Sequence, residues 1–171
     1  MNLQEAIKSA IEYEHRVRDH YAKAASQALD AKAQKIFATM AREEQTHVSY
    51  LESCLSEWLQ SGAVPELTLQ SVLPPPTWLQ AEATKLHSLA AGRTPPGTAE
   101  AELLKVALDL ERTTSAFYQS LVDQLEQKHA QLFRRFLEIE LGHVAIVQAE
   151  IDALAGLGHW FDFMEFSLEA Q

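Results

Sequence analysis

Glu44-Gln-Thr-His47 recurs in this chain as Glu140-Leu-Gly-His143. A carboxylate and an imidazole three residues apart lie on one face of a helix, with Cβ atoms about 5–6 Å apart. Such a pair can grip one metal ion together, or bridge two ions through the carboxylate while the ring binds one of them. Each copy follows a matching apolar segment, Ile36-Phe37-Ala-Thr-Met40 or Leu132-Phe133-Arg-Arg-Phe136, at one constant offset, so what repeats is a helix and not a tetrapeptide. A second pair of segments repeats ahead of these. Ile11-Glu-Tyr-Glu14 followed by Tyr21 answers to Leu108-Asp-Leu-Glu111 followed by Tyr118, at an offset one residue longer. Two helices giving one Glu each and two giving Glu-x-x-His, all projecting inward, make up the ligand set of a dinuclear metal site in a four-helix bundle.

Four carboxylates and two imidazoles offer hard oxygen and intermediate nitrogen donors, which suit iron or manganese and leave coordination positions open for dioxygen, peroxide or water. With no thiolate in the set, a structural zinc site is disfavoured. The plainer reading is that single Glu and His residues on helices are usually solvated or ordinary core polar groups, and Arg18, one turn after Glu14, offers that carboxylate a surface ion pair. The joint pattern weighs against it. All six residues fall on apolar stripes, and apart from Arg18 no basic residue lies on those faces. Burying unpaired carboxylates costs several kcal/mol each in effective terms, a cost that bound cations remove.

Tyr21 and Tyr118 each lie two turns after their Glu on the same face. They are placed either to donate to a ligating carboxylate, fixing its orientation, or to serve as ordinary core tyrosines. Cys54, two turns beyond His47, reads as a small core residue. His15, His20, His87, His129 and His159 fall outside the repeat and read as surface or packing residues, while Glu12, Asp109, Glu43 and Glu138 fall off the ligand face and read as solvated.

The elements that must position these groups are legible from apolar spacing and helix-end chemistry. Asn2 and Glu5 form a candidate cap and reciprocal partner for a first helix over about 2–29, with Leu3, Ile7, Ala10, Ile11, Glu14, Val17, Tyr21 and Ala25 inward. Asp30 caps a second helix over about 30–60, closed by Ser61-Gly62, with Phe37, Met40, Glu44, His47, Val48, Leu51 and Leu55 inward. Residues 61–97 carry Pro65, Pro74-Pro75-Pro76, Gly92 and Pro95-Pro96-Gly97, and read as a connection. Within it a short amphipathic helix is expected at about 77–91, capped by Thr77 and closed at Gly92. Thr98 caps a third long helix to about 125, with Glu100 and Glu102 in the first turn where the helix dipole favours them. A fourth follows over about 127–155, its start inferred from the repeat and its end from Gly156. The tail at 156–171 is aromatic-rich and is expected to pack on the bundle or on a second subunit.

The length of 171 residues and 47% hydrophobic content suit one soluble domain spanning 1–171. A formal charge of −10 disfavours nucleic acid and anionic membrane as partners and favours approach of cations. One cysteine allows neither a disulfide framework nor a Cys-x-x-Cys site within the chain. No apolar run approaches the ~18 residues of a membrane span, and no leader pattern opens the chain, so a cytoplasmic protein is expected.

Taken together, the pattern resembles the ferritin-like di-iron carboxylate proteins, most closely the helical domain of rubrerythrins. The resemblance implies an all-α, ferritin-like four-helix bundle with a long crossover between the second and third long helices and a short C-terminal helical tail. It implies two iron ions, with manganese an alternative, held by Glu14, Glu44, His47, Glu111, Glu140 and His143. Glu44 and Glu140 would bridge, each imidazole would bind one iron, and Tyr21 matches the tyrosine that follows the first Glu in that family. The implied activity is oxidation of ferrous iron by dioxygen, or reduction of hydrogen peroxide with an external electron donor, in a homodimer. The chain departs from rubrerythrin peroxidases at Thr114, where they add a carboxylate, and in having no paired Cys-x-x-Cys domain. Its symmetric six-ligand set is closer to the bacterioferritin ferroxidase centre, but the haem-binding methionine of that family is Gln45 here, so no haem is expected. Two other functions remain open: ferritin-like iron storage, which needs a multimeric shell, and a metal-free helical module that docks a partner through its aromatic tail.

Overall fold

A computed structural model describes residues 1–64, 69, 71, 74, 76–93, 95–161 and 163. Among them the chain is all-α. Five helices follow one another: α1 (Leu3–Gln27), α2 (Ala31–Ser61), α3 (Pro76–Ala90), α4 (Ala99–Gln124) and α5 (Gln127–Gly156). No strand occurs among the described residues, and no helix is long and apolar enough to cross a membrane.

The helix ends follow local chemistry. Asn2 accepts the Glu5 amide at 2.9 Å while Glu5 accepts the Asn2 amide at 3.0 Å, a reciprocal capping box. Asp30 accepts from the amides of Lys32 at 2.7 Å and Ala33 at 3.0 Å, and Thr98 from that of Ala101 at 3.2 Å. Gly62, at φ +70°, ends α2 in the left-handed region where a residue without Cβ is unstrained. The short helix begins at Pro76, so the expected cap at Thr77 is corrected: Thr77 lies inside it. Proline suits the first helical position because its missing N–H has no intrahelical partner there. No side chain caps α5, which matches the lack of any turn signal before it.

Two apolar clusters show how the long helices run. One joins the end of α1 (Val17, Tyr21) to the start of α2 (Phe37, Met40), the start of α4 (Leu104, Leu108) and the end of α5 (Ile146, Leu154). The other joins the start of α1 (Leu3, Ile7) to the ends of α2 (Leu51) and α4 (Leu121) and to Phe133 and Phe136 near the start of α5. Hence α2 and α4 run the same way, opposite to α1 and α5. The connection between α2 and α4 must therefore travel the length of the core, and α3 lies on that route, packed on α5 through Leu86, Ala149 and Ala153. At the end of α5, a Cβ on Gly156 would sit 3.0 Å from the backbone carbonyl carbon of Leu89, so glycine permits that close approach of α3.

The inner faces match expectation with one shift: Ala24 is buried where Ala25 was expected, and Ala25 is half-buried along with Ile11 and Leu55. Trp160 and Phe163 are buried, and Trp160 meets Phe37 edge-on at 6.1 Å, so this part of the tail packs on the chain itself. The remaining tail expectation, residues 162 and 164–171, lies outside the described residues.

Candidate metal centre

On every long helix the predicted ligands fall between the stretches that feed the two apolar clusters. Glu14 of α1, Glu44 and His47 of α2, Glu111 of α4, and Glu140 and His143 of α5 are all fully buried in one polar layer. His47 Nδ1 lies 3.1 Å from Glu14 Oε2, 3.2 Å from Glu44 Oε2 and 3.3 Å from Glu140 Oε1. His143 Nδ1 lies 2.8 Å from Glu44 Oε1, 3.6 Å from Glu111 Oε2 and 3.8 Å from Glu140 Oε1. The two rings stack almost parallel, 9° apart with centroids at 5.3 Å.

Two sets of four donors result, Glu14–Glu44–His47–Glu140 and Glu44–Glu111–Glu140–His143, with the donor atoms of each set within 4.8 Å of one another. Glu44 and Glu140 belong to both. Each remaining Glu and His belongs to one, so the layer has the composition of two adjacent sites sharing two carboxylates.

Whether these residues fit metal can be tested on their hydrogen bonding. Both oxygens of Glu44 and Glu140, Glu111 Oε2, His47 Nε2 and both ring nitrogens of His143 are buried and make no hydrogen bond. The short approach of His143 Nδ1 to Glu44 is thus too poorly aligned to be one. Buried polar atoms are nearly always hydrogen-bonded, and an unmet one costs about 1–3 kcal/mol. Several unmet donors converging on common points fit cations.

Electrostatics say the same of the metal-free layer. Burial pushes Glu14 up to about 7, against the pull of His47. Burial, then the charges of Glu14 and Glu44, push Glu140 well above the carboxylate range. Burial opposes ionisation of Glu44 as well, but the imidazolium groups of His143 and His47 outweigh it and hold Glu44 below that range. Burial disfavours charged imidazole, yet Glu14 and Glu44 raise His47, and Glu44 and Glu111 raise His143, well above the usual value. Protons thus offset part of the negative charge that these four carboxylates would otherwise bury.

The tyrosines cross over. Tyr21 of α1 donates to Glu111 Oε1 of α4 at 2.5 Å, and Tyr118 of α4 donates to Glu14 Oε1 of α1. Each fixes a carboxylate that belongs to one donor set alone. Arg18 does not pair with Glu14; its guanidinium bonds Asp19 at 2.7 Å, Gln45 at 3.0 Å and His15 at 3.2 Å.

One expectation is corrected. Glu43 is buried, at 5% exposure, and accepts from Ser71 Oγ at 2.6 Å. Its place three residues after Met40 and four before His47 puts it on the margin of the inner stripe, a signal that could have found it. Glu12, Asp109 and Glu138 are exposed, as expected. His87 and His159 are exposed and His15, His20 and His129 half-buried, and none of the five belongs to a metal-capable group among the described residues. Cys54 is buried in the cluster that joins the start of α1 to the ends of α2 and α4, its thiol pushed up to about 11 by burial. Thr114, one turn beyond Glu111, is buried and adds no carboxylate to the layer.

No protein-family model, curated protein or solved structure matches this chain.

Proposed function

We propose that this chain is a non-haem di-iron protein of the ferritin-like class, rubrerythrin-like in its helical part, that oxidises ferrous iron with dioxygen or reduces hydrogen peroxide. The observation that carries the reading is the pair of buried four-donor sets that share Glu44 and Glu140. The parallel course of α2 and α4, which demands a long connection, supports the ferritin-like arrangement.

In this reading Glu44 and Glu140 would serve both sites, Glu14 with His47 would complete one, and Glu111 with His143 would complete the other. Iron held by these residues would supply two electrons, which with two protons suffice to take one hydrogen peroxide to two waters, or one dioxygen to hydrogen peroxide. The chain supplies position. Tyr21 and Tyr118 hold the outer oxygens of Glu111 and Glu14, leaving the other oxygen of each carboxylate for the layer. In the metal-free layer burial leaves Glu14 holding a proton up to about pH 7, a proton that bound metal would displace. The apolar clusters above and below keep bulk water from it. Repeated peroxide reduction requires an external electron donor, because the lone thiol of Cys54 is buried and held protonated.

An anaerobic titration of the metal-stripped protein with ferrous iron tests the reading. Two ions bound tightly per chain are expected, and none would overturn it. Replacing Glu44 and Glu140 together with Ala should abolish iron-dependent oxidation, with helicity checked by circular dichroism; full activity in that variant would refute the site.

A further inference from the structure

Both histidines turn Nδ1 toward the four carboxylates, which leaves both Nε2 atoms on the far side of two nearly parallel rings. Both Nε2 atoms are buried and make no hydrogen bond. A neutral imidazole that gives one nitrogen to a metal carries its proton on the other, and that N–H needs an acceptor to fix the tautomer and the ring angle. Glu43 presents a carboxylate oxygen within 4.8 Å of a ring nitrogen of His47 and of His143 together. It is buried, and Ser71, from the connection between α2 and α3, donates to it at 2.6 Å.

We propose that Glu43 is a positioning residue for both ligating histidines, taking their outer N–H groups directly or through one bridging water. Ser71 orients that carboxylate and so couples the connection to the centre. A separation of up to 4.8 Å suits either a small side-chain rotation or one water. Glu43 is not a ligand for a third ion. An ion there would need the Nε2 lone pairs of two rings whose Nδ1 atoms are already committed, leaving both rings without a proton. The inference rests on the dinuclear reading and goes beyond it, since Glu43 belongs to neither shared donor set.

The test uses the full chain, titrated anaerobically with cobalt(II) and followed by visible absorption, and loaded with zinc(II) for nitrogen-15 NMR of the imidazoles. Wild type should bind two ions. In the zinc form both rings should show Nδ1 shifted by metal and a slowly exchanging proton on Nε2. Glu43→Gln should weaken cobalt binding by about 10–100-fold, in the range seen when such supporting groups are lost, and should speed exchange of both Nε2 protons. Ser71→Ala should do the same to a smaller degree. Wild-type affinity and unchanged imidazole signals in Glu43→Gln, with two ions still bound by wild type, would overturn this inference alone. No cobalt bound by wild type would overturn the dinuclear reading and this inference with it. Three ions in wild type and two in Glu43→Gln would make Glu43 a ligand and overturn the positioning role. If Glu43→Gln loses helicity, the zinc-loaded wild type decides: metal-shifted Nε2 atoms would overturn the proposal, and protonated ones support it.

Discussion

The hydroxyl of Tyr21 on α1 donates at 2.5 Å to Glu111 on α4, and not to Glu14, seven residues earlier on its own helix. Tyr118 on α4 makes the reverse connection to Glu14, so two buried hydrogen bonds strap α1 to α4 across the polar layer. Tyr21→Phe and Tyr118→Phe each leave a fully buried carboxylate oxygen without its donor. Each substitution should cost about 1–3 kcal/mol in urea unfolding of the metal-free protein, the penalty for an unmet buried acceptor. An unchanged unfolding midpoint would contradict these bonds. The rings stay packed in either variant, so helicity should not change.

Sharing of Glu44 and Glu140 between the donor sets gives an asymmetry that mutation can read. Glu14→Gln removes a ligand from one site only and should leave one tight cobalt ion per chain. Glu44→Gln and Glu140→Gln touch both sites and should weaken both ions. Glu140 is held neutral in the metal-free protein, chiefly by burial, so its replacement by the neutral isostere Gln should leave metal-free stability nearly unchanged. What should vanish in Glu140→Gln is the rise in melting temperature on adding metal. Loss of both ions in Glu14→Gln would argue against two separable sites.

Protonation links this layer to pH with a definite sign. Glu14 is raised from 4.5 to about 7, so its contribution is complete below pH 4.5 and is lost as pH rises through about 7. His47 and His143 are raised above 6.5, so theirs is complete below pH 6.5 and is lost as pH climbs through their folded values. Glu44 runs the other way, contributing above pH 4.5 and losing that contribution only in stronger acid. Metal-free protein should therefore lose stability between pH 6 and pH 9, whereas metal, which displaces those protons, should stabilise it more as pH rises. Urea midpoints measured across that range, with and without manganese(II), check both trends. A metal-free protein that grows steadily more stable toward pH 9 would contradict them.

Away from the layer, Glu100 at the start of α4 accepts the amides of Leu29 at 2.8 Å and Asp30 at 3.3 Å, clamping the turn between α1 and α2. The Leu29 amide leads in holding its carboxyl below the usual value. A depressed carboxyl contributes above its unfolded value and loses that contribution as pH falls through the folded one. Glu100→Ala should cost about 1 kcal/mol at pH 7 and much less near pH 3, by urea unfolding at the two pH values. Cobalt affinity should be unchanged, because the apolar cluster around Val17, Phe37 and Leu104 separates the turn from the polar layer.

Much of this architecture is written in local chemistry. Helical periodicity puts Glu14, Glu44, His47, Glu111, Glu140 and His143 on inward stripes, and the repeat pairs them, because the face a residue takes depends only on its neighbours three and four positions away. Asn2, Asp30, Thr98 and Gly62 mark helix ends through bonds that span a few residues. The start of α5 has no such bond and shows only through the repeat. Other features needed the assembled helices. Periodicity turns Tyr21 inward, but which carboxylate it meets depends on the axial offset of α4 against α1, and the answer is Glu111. Glu43 sits at the edge of its stripe, where the same angle is solvated or buried according to what crosses above, and Ser71 decides it. Local sequence determined which side chains turn inward; contact between distant segments decided what each one meets, because that depends on how whole helices are offset and on where the connection passes.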